Sequence, residues 1–365
     1  MDRMVCRTEV VDGLLTKICW RCAPPNAAPP TTPPSGGRAV LYLHGFPDLS
    51  IVPSSGAFAS RFSRKLCEAV LSRQAVDGGA VLFACFNASG LPGSDSVVPF
   101  KDKLLSREVE EVVTVAQWLR GPGAGAREVH VVGISTGAIL AACVRDRPEI
   151  TSVATIAGLL DVVSGADLDF DVEQRAAFDS LGYCMKEFWV PDIPAPVSPP
   201  RARLQLHPTR RFTVLEPCDS EPAAPVPAIF LGTWSPLPPE STKSQTSTKV
   251  ALQLGRQYYD DMRALPLLRA VQEGFAPLLV VHGDADRAVP VQCGHALHEA
   301  AREPKRLEVV RKANHLFTST AHMKKVSGVV SDWVAHHWRL ELLESGQVQE
   351  PKPTKKKSVH KNQNK

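Results

Sequence analysis

The stretch Glu128-Val-His-Val-Val-Gly-Ile-Ser135-Thr-Gly137 decides the fold. It begins with an apolar run that predicts a buried strand, and the apolar residues that follow it predict a helix. Between them, Gly133 to Gly137 matches the pattern G-x-S-x-G, in which a strand turns sharply into a helix and exposes the serine hydroxyl at the sheet edge. Ser135 is therefore the candidate nucleophile, although the pattern alone also fits a plain tight turn.

Outward from this stretch, short apolar strands alternate with helical patterns. The alternation predicts an α/β fold: a mostly parallel central sheet with helices on both faces. The predicted strands are Val5–Val11, Leu15–Cys22, Ala39–Leu43, Ala80–Phe86, Glu128–Ile134, Ser152–Ala157, Pro277–His282 and Arg306–Val310. The predicted helices contain Phe58 to Val70, Val109 to Leu119, Ala138 to Val144, Cys293 to Ala301 and Val326 to Leu340.

The alternation stops between residues 159 and 275, where a cap over the sheet is expected. We expect this cap to be helical, with a helix near Tyr258 to Val271 and a loose Pro-rich loop over 191–249. Residues 1–158 and 276–345 then form the two parts of the core. The tail, 346–365, carries six lysines after Pro351 and few apolar residues, so it is expected to be disordered.

Composition excludes several functional classes. The net charge is +4 over 365 residues and is concentrated in the tail, so a nucleic-acid-binding surface on the body is not expected. The nine cysteines have no framework spacing, which favours a reducing compartment, and Cys19-Trp-Arg-Cys22 lies in a strand that places its two cysteines on opposite faces. No metal or cofactor is predicted. No apolar run is long enough for a membrane span, so a cytoplasmic protein is expected; contact of the lysine tail with an anionic membrane is less favoured than a solubilising role.

A serine nucleophile requires a base and an acid that orients the base. In this kind of fold the acid and then the histidine follow the serine along the chain. The stretch Leu278 to Pro290 is an apolar strand that ends in a turn with two aspartates, of which Asp286 is the candidate acid and Asp284 the alternative that braces the turn. His315 follows the strand that ends at Val310, whereas His322, its main competitor, has no strand end beside it.

The oxyanion of a tetrahedral intermediate requires two N–H donors. Thr136, directly after the nucleophile, supplies one. The loop His44-Gly45-Phe46-Pro47 supplies the other from Phe46, because proline has no N–H. The alternative for this loop is an ordinary turn at the end of a strand.

Four motifs in this order, HGFP from His44, GISTG from Gly133, HGDADRAVP from His282 and ANH from Ala313, resemble the α/β-hydrolase superfamily. Over residues 39–160 and 258–338 the chain resembles its serine aminopeptidase and monoglyceride-lipase-like branch. The resemblance implies the triad Ser135, Asp286 and His315 and the oxyanion donors Phe46 and Thr136. Asn87-Ala-Ser-Gly-Leu-Pro-Gly-Ser falls where the family has a glycine- and serine-rich loop.

The chain also departs from these relatives. Lipase-like members usually have Met or Gln where Thr136 stands, which weakens the case for lipid substrates. HGFP is common in epoxide hydrolases and haloalkane dehalogenases, but their carboxylate nucleophile is replaced here by Ser135.

Three functions remain open. The first is hydrolysis of a small-molecule carboxylic ester or other acylated substrate by an esterase or monoacylglycerol-lipase-like enzyme, without a cofactor. The second is a serine aminopeptidase similar to proline iminopeptidase, which needs a cap acid to hold the substrate amine. The candidate acids are Asp169, Asp171, Glu173 and Asp260. The third is a binding protein that retains the hydrolase fold without catalysis.

Overall fold

A computed structural model describes residues 3–22, 32–73, 80–191, 214–217 and 247–344. The predicted lysine-rich tail and most of the predicted Pro-rich loop lie outside these residues.

The described strands form two sheets. Their bounds are β1 (Arg3–Val11), β2 (Leu14–Cys22), β3 (Arg38–Leu43), β4 (Val81–Phe86), β5 (Glu128–Ile134), β6 (Ser152–Ile156), β7 (Tyr183–Pro191), β8 (Val214–Pro217), β9 (Ser247–Gly255), β10 (Leu278–Gly283) and β11 (Lys305–Val310). The large sheet has the order β11-β10-β6-β5-β3-β4-β2-β1-β8. From β11 to β4 every neighbouring pair is parallel, and the remaining pairs are antiparallel. The predicted mostly parallel sheet is confirmed.

Helices cover both faces of this sheet. Their bounds are α1 (Arg61–Leu71), α2 (Leu105–Trp118), α3 (Thr136–Cys143), α4 (Val162–Asp169), α5 (Val172–Leu181), α6 (Arg256–Ala264), α7 (Leu267–Glu273), α8 (Val291–Ala300) and α9 (Thr320–Glu344). Helices α1 and α9 supply apolar side chains to one core cluster, and α2, α3, α7 and α8 to the other. A search of the described residues for a helix long and apolar enough to cross a bilayer finds none.

Side-chain alternation along the central strands explains the two clusters. In β5, Val129 and Val131 belong to one cluster and Val132 to the other, and all three are fully buried. Successive strand residues point to opposite faces, so a strand covered by helices on both sides is apolar throughout. This is the pattern by which the sequence predicts these strands.

The first helix is shorter than its apolar spacing suggests. Phe58 was expected within it, but α1 begins at Arg61, after Ser60. The Ser60 side chain accepts a hydrogen bond from the N–H of Ser63, which caps the helix. Phe58 instead pairs with Ile51 in an isolated bridge.

The region expected to form a helical cap contains the helices α4 to α7 and, in addition, a small sheet. Strands β7 and β9 pair in an antiparallel two-stranded sheet, with Tyr183 opposite Gly255, and so join two segments that are far apart in the chain. The single helix expected near Tyr258 to Val271 is two helices, α6 and α7. Proline has no N–H to donate, and Pro266 stands at the break between them.

Cys19 forms a disulfide with Cys6, which the scattered cysteine spacing did not indicate. The two residues are direct partners across the β1–β2 hairpin, with Cα atoms 4.1 Å apart. Cys22, the second cysteine of the C-x-x-C sequence, packs against the other core cluster, on the opposite face of the strand from Cys19.

Candidate active site

The candidate residues meet at one edge of the large sheet. Strands β3, β5, β10 and β11 are parallel, so their carboxyl ends lie on the same side. Phe46, Ser135, Asp286 and His315 each follow the end of one of these four strands within five residues. The topology therefore brings together residues that are as much as 269 positions apart in the chain (315 minus 46).

Ser135 occupies a strained turn between β5 and α3. Its φ of 55° and ψ of −121° lie in a region that side-chain-bearing residues rarely adopt. The turn needs close backbone contact, since a Cβ on Gly133 would lie 1.9 Å from the carbonyl oxygen of Gly137. The Ser135 N–H donates to the carbonyl of Ile156 on β6 at 2.9 Å, which fixes the turn against the sheet. These are the features expected of a nucleophile that projects from a strand–helix corner.

His315 lies between Ser135 and Asp286. Its Nε2 is 3.0 Å from the Ser135 Oγ, and its Nδ1 is 2.7 Å from the Asp286 Oδ2. The residue is 5% exposed, so little water competes for these contacts. Because a carboxylate only accepts, Nδ1 carries the proton and Nε2 is left to accept the serine hydroxyl proton.

Four donors surround the Asp286 carboxylate. Its Oδ1 accepts the N–H groups of Ala288 and Val289, both at 2.9 Å, and its Oδ2 faces His315 and His282. Burial opposes ionisation, but the hydrogen bonds from His282 and His315 outweigh it and hold the pKa of Asp286 well below its ordinary value. Asp286 is therefore ionised at neutral pH and fixed in orientation.

The two alternative residues lie elsewhere. Asp284 is exposed, and its carboxylate accepts the N–H of Lys312, which ties the turn after β10 to the turn after β11. Asp284 therefore braces the turn as expected, but it does so by binding the neighbouring loop rather than the backbone of its own turn. His322 lies in the first turn of α9, where its N–H donates to the Ser319 Oγ at 3.1 Å.

The loop that carries Phe46 lies directly against the nucleophile. A Cβ on Gly45 would lie 3.1 Å from the Ser135 Cβ and 3.6 Å from its Oγ. Thr136 opens α3, and its N–H therefore has no acceptor within the helix. Burial lowers the pKa of His44 to about 4, and its neutral ring donates from Nδ1 to the Gly45 carbonyl at 2.8 Å. Thr136 thus follows Ser135 directly, and Phe46 follows the glycine that lies against Ser135.

The cap packs on this loop through aromatic rings. The Phe46 ring stacks on Tyr258 of α6 with centroids 4.7 Å apart, and on Phe100 at 6.1 Å. The Lys186 ammonium of β7 lies 4.2 Å from the Phe170 ring centroid and 5.9 Å from that of Phe46. The cap therefore limits access of water to the region around Phe46.

Asn87, which opens the predicted serine-rich loop, is a structural residue. Its buried side chain accepts the N–H groups of Ser50 and Ile51 at 3.0 and 2.9 Å and donates to the carbonyls of Ile51 and Pro92. It joins the loop after β4 to the chain that follows the Phe46 loop.

His282 contacts Asp286 through its side chain, but the sequence prediction gave it no role. It was included only as the end of an apolar strand and the start of the HGDADRAVP motif. The sequence signal for this contact is the short spacing of four residues between His282 and Asp286. Among the described residues no cluster of three or more His, Cys, Asp or Glu has the geometry to hold a metal ion.

Both the sequence and the fold are similar to those of known proteins. Residues 40–327 match the sequence model described as the alpha/beta hydrolase family. A search of curated proteins finds no match. The fold is similar to that of Est1E from Butyrivibrio proteoclasticus with bound ferulic acid, at 16% identity, 90% coverage of this chain, 98% coverage of that chain and a TM-score of 0.53. It is also similar to the alpha/beta hydrolase GrgF from Penicillium sp. sh18, at 12% identity, with 91% and 98% coverage and a TM-score of 0.53.

Proposed function

The chain belongs to the alpha/beta hydrolase family, and we propose that it is a serine hydrolase that cleaves carboxylic esters through Ser135, His315 and Asp286. The observation that carries the proposal is the continuous chain of hydrogen bonds from the Ser135 Oγ through the imidazole of His315 to the Asp286 carboxylate. A serine in a strained strand–helix corner with a base 3.0 Å away has the geometry for nucleophilic attack.

In the proposed first step, the Ser135 Oγ attacks the ester carbonyl carbon while the His315 Nε2 takes the hydroxyl proton. Asp286 stabilises the imidazolium that forms and keeps the ring oriented. The negative charge that develops on the carbonyl oxygen is accepted by the N–H groups of Phe46 and Thr136. Each such donor typically contributes about 3–4 kcal/mol to lowering the barrier.

The second half of the reaction regenerates the enzyme. His315 donates its proton to the alcohol oxygen, the ester C–O bond breaks, and the acyl group remains on Ser135. Water then attacks the acyl-enzyme carbonyl with His315 again acting as base, and the acid is released. The substrate is a small molecule that passes the cap.

Hydrolysis of a p-nitrophenyl ester tests this proposal. Ser135→Ala is expected to lower kcat by at least about 10³-fold, as in other serine-triad enzymes. Ser180→Ala is the matched control, because Ser180 is exposed at the end of α5 and bonds only the carbonyl of Ala176. Equal rates in wild type and Ser135→Ala would refute the proposal.

A serine aminopeptidase is the second candidate, and Asp169 is the observation that favours it. Of the four cap acids considered, Asp171 caps α5, Asp260 pairs with Arg256, and Glu173 lies in the first turn of α5. The pKa of Asp169 is raised by burial and is lowered by the charges of Lys186 and His315, so its carboxyl group lies within electrostatic reach of the candidate base.

The surroundings of Asp169 favour the ester hydrolase over the aminopeptidase. Burial raises the pKa of Asp169 to about 6, and the nearby Lys186 ammonium would repel a substrate amine. Release of naphthylamine from an aminoacyl-naphthylamide, lost in Asp169→Asn while p-nitrophenyl ester hydrolysis is retained, would support the peptidase instead. Turnover of the ester alone supports the first proposal.

A further inference from the structure

We infer that His282 is a positioning residue that holds the Asp286 carboxylate in the orientation that His315 requires. This inference rests on the proposed function of the triad. His282 lies on β10, four residues before Asp286, and is completely buried. Its Nε2 is 3.4 Å from the Asp286 Oδ2, the same oxygen that accepts the hydrogen bond from His315.

The Val289 carbonyl fixes which nitrogen of His282 carries the proton. The carbonyl oxygen lies 2.9 Å from Nε2 and can only accept, so Nε2 bears the hydrogen. That N–H lies between two acceptors, the Val289 carbonyl and the Asp286 Oδ2. It therefore joins the triad acid to the same turn whose backbone N–H groups bind the Oδ1 atom.

The other side of the ring argues against a purely structural role. The Nδ1 of His282 is buried and has no hydrogen-bond partner among the described residues. A buried polar atom without a partner is unfavourable, so an apolar side chain would suit the strand better if packing were the only requirement. Among the described residues, the polar contacts of the ring are therefore made by its Nε2–H, with the Val289 carbonyl and the Asp286 Oδ2.

Gly294 of α8 provides the space for the ring. A Cβ at this position would lie 2.6 Å from the Nδ1 of His282 and 3.0 Å from its Cβ and Cγ. No residue with a side chain fits there without moving the imidazole. Gly294 thus offers a second way to displace His282 without changing it.

The N–H of His282 acts at a longer range than that of His315, 3.4 Å against 2.7 Å. Its hydrogen bond helps to lower the pKa of Asp286, and it also restricts rotation of the carboxylate. Without this N–H, the Oδ2 is held by His315 alone and moves with it. The expected result is a less well aligned base, seen in kcat and not in KM.

Three variants of the full chain test the inference. His282→Leu removes the N–H, while His282→Gln returns a donor near the position of Nε2. Outer-shell partners of metal-ligating histidines typically contribute about 10- to 100-fold to affinity or activity. By analogy, His282→Leu is expected to lower kcat on a p-nitrophenyl ester at least about tenfold with little change in KM. His282→Gln is expected to recover most of the rate. Gly294→Ala is expected to behave like His282→Leu.

A second readout does not depend on turnover. The proton shared by the His315 Nδ1 and Asp286 is expected to give a low-field ¹H NMR resonance in the wild type, which broadens or moves upfield in His282→Leu and Gly294→Ala. A wild-type resonance and kcat in either of these variants would overturn the inference, as would His282→Gln as slow as His282→Leu. A wild-type protein without esterase activity would refute the proposed function but would leave the resonance test valid.

Discussion

Replacement of Asp286 by asparagine tests the proposed role of the triad acid with almost no change in shape. The asparagine carbonyl oxygen is expected to take the place of Oδ1, because the N–H groups of Ala288 and Val289 both donate there at 2.9 Å. The amide NH₂ then faces His315, whose ring can change tautomer, and His282, whose Nε2–H keeps the Val289 carbonyl as its acceptor. The opposite orientation would set the NH₂ against two N–H groups and lose both hydrogen bonds.

An NH₂ at the position of Oδ2 reverses the tautomer of His315. Nδ1, which donates to Asp286 at 2.7 Å in the wild type, must now accept a hydrogen bond. Nε2 then carries the proton and cannot take one from the Ser135 Oγ at 3.0 Å. A wrong tautomer of this kind costs about 10⁴ in kcat, which corresponds to about 5.4 kcal/mol in the activation free energy at ~1.36 kcal/mol per tenfold.

The assay is steady-state hydrolysis of a p-nitrophenyl ester, with Asp284→Asn as the matched control. Asp284 lies two residues away, and its acceptor role toward the N–H of Lys312 is retained by an asparagine carbonyl. Asp284→Asn should therefore react at close to the wild-type rate. A loss of only a few-fold in Asp286→Asn, or an equal loss in Asp284→Asn, would refute the assignment.

The same variant also has a predicted effect on stability. The folded-state pKa of Asp286 is depressed, so its ionised form stabilises the fold above the unfolded pKa of about 4, and this contribution is lost as the pH falls below that value. Asp286→Asn should be less stable than wild type at neutral pH. The difference between the two should shrink on acidification, as measured by urea unfolding.

Three further predictions concern other parts of the chain. In Gly137→Ala the new Cβ would lie 2.4 Å from the His44 carbonyl oxygen and would push the Phe46 loop away. This displacement should lower esterase kcat about 10²-fold or more. An unchanged rate would contradict the placement of this loop. Burial raises the pKa of Glu108 from 4.5 to about 7 despite the Lys103 ammonium 3.0 Å away, so its contribution to stability is present below 4.5 and is lost as the pH rises through 7. Glu108→Gln should remove that part of the pH dependence in urea unfolding, and identical profiles for the two proteins would exclude it. Gly328→Ala places a Cβ in the middle of α9 with nothing within 4 Å, so the free energy of unfolding should rise by about 1 kcal/mol. A fall in the free energy of unfolding would contradict the open space around Gly328.

The core could be predicted from sequence because its signals are local. A strand buried on both faces is apolar throughout, and the predicted Glu128–Ile134 matches β5 at both ends. The turns at the carboxyl ends of such strands share one edge, so the order of Ser135, Asp286 and His315 was enough to expect their approach. Their catalytic roles stay predictions.

The cap could not be predicted in the same way, because its contacts are not local. β7 and β9 pair although more than fifty residues separate them, and a period of two in either strand does not reveal its partner. Lys186 and Tyr258 reach Phe46 only through that pairing and the helix after it. The contacts between the cap region and the Phe46 loop depend on these long-range placements.

The Cys6–Cys19 pair had a local signal that was not used. Asp12 and Gly13 both have positive φ values, of 48° and 84°, as a two-residue hairpin turn requires. That turn pairs Val11 with Leu14 and, five residues along each strand, places Cys6 directly opposite Cys19. The hairpin register therefore brings the two thiols together.

The central claim is that Ser135 is the nucleophile, and covalent labelling tests it most directly. Wild-type protein would be treated with a fluorophosphonate, digested, and analysed by mass spectrometry to locate the modified residue. A single adduct on Ser135, absent in Ser135→Ala and strongly slowed in His315→Ala, is the predicted result. An unlabelled folded protein, or an adduct on any other residue, would contradict the account.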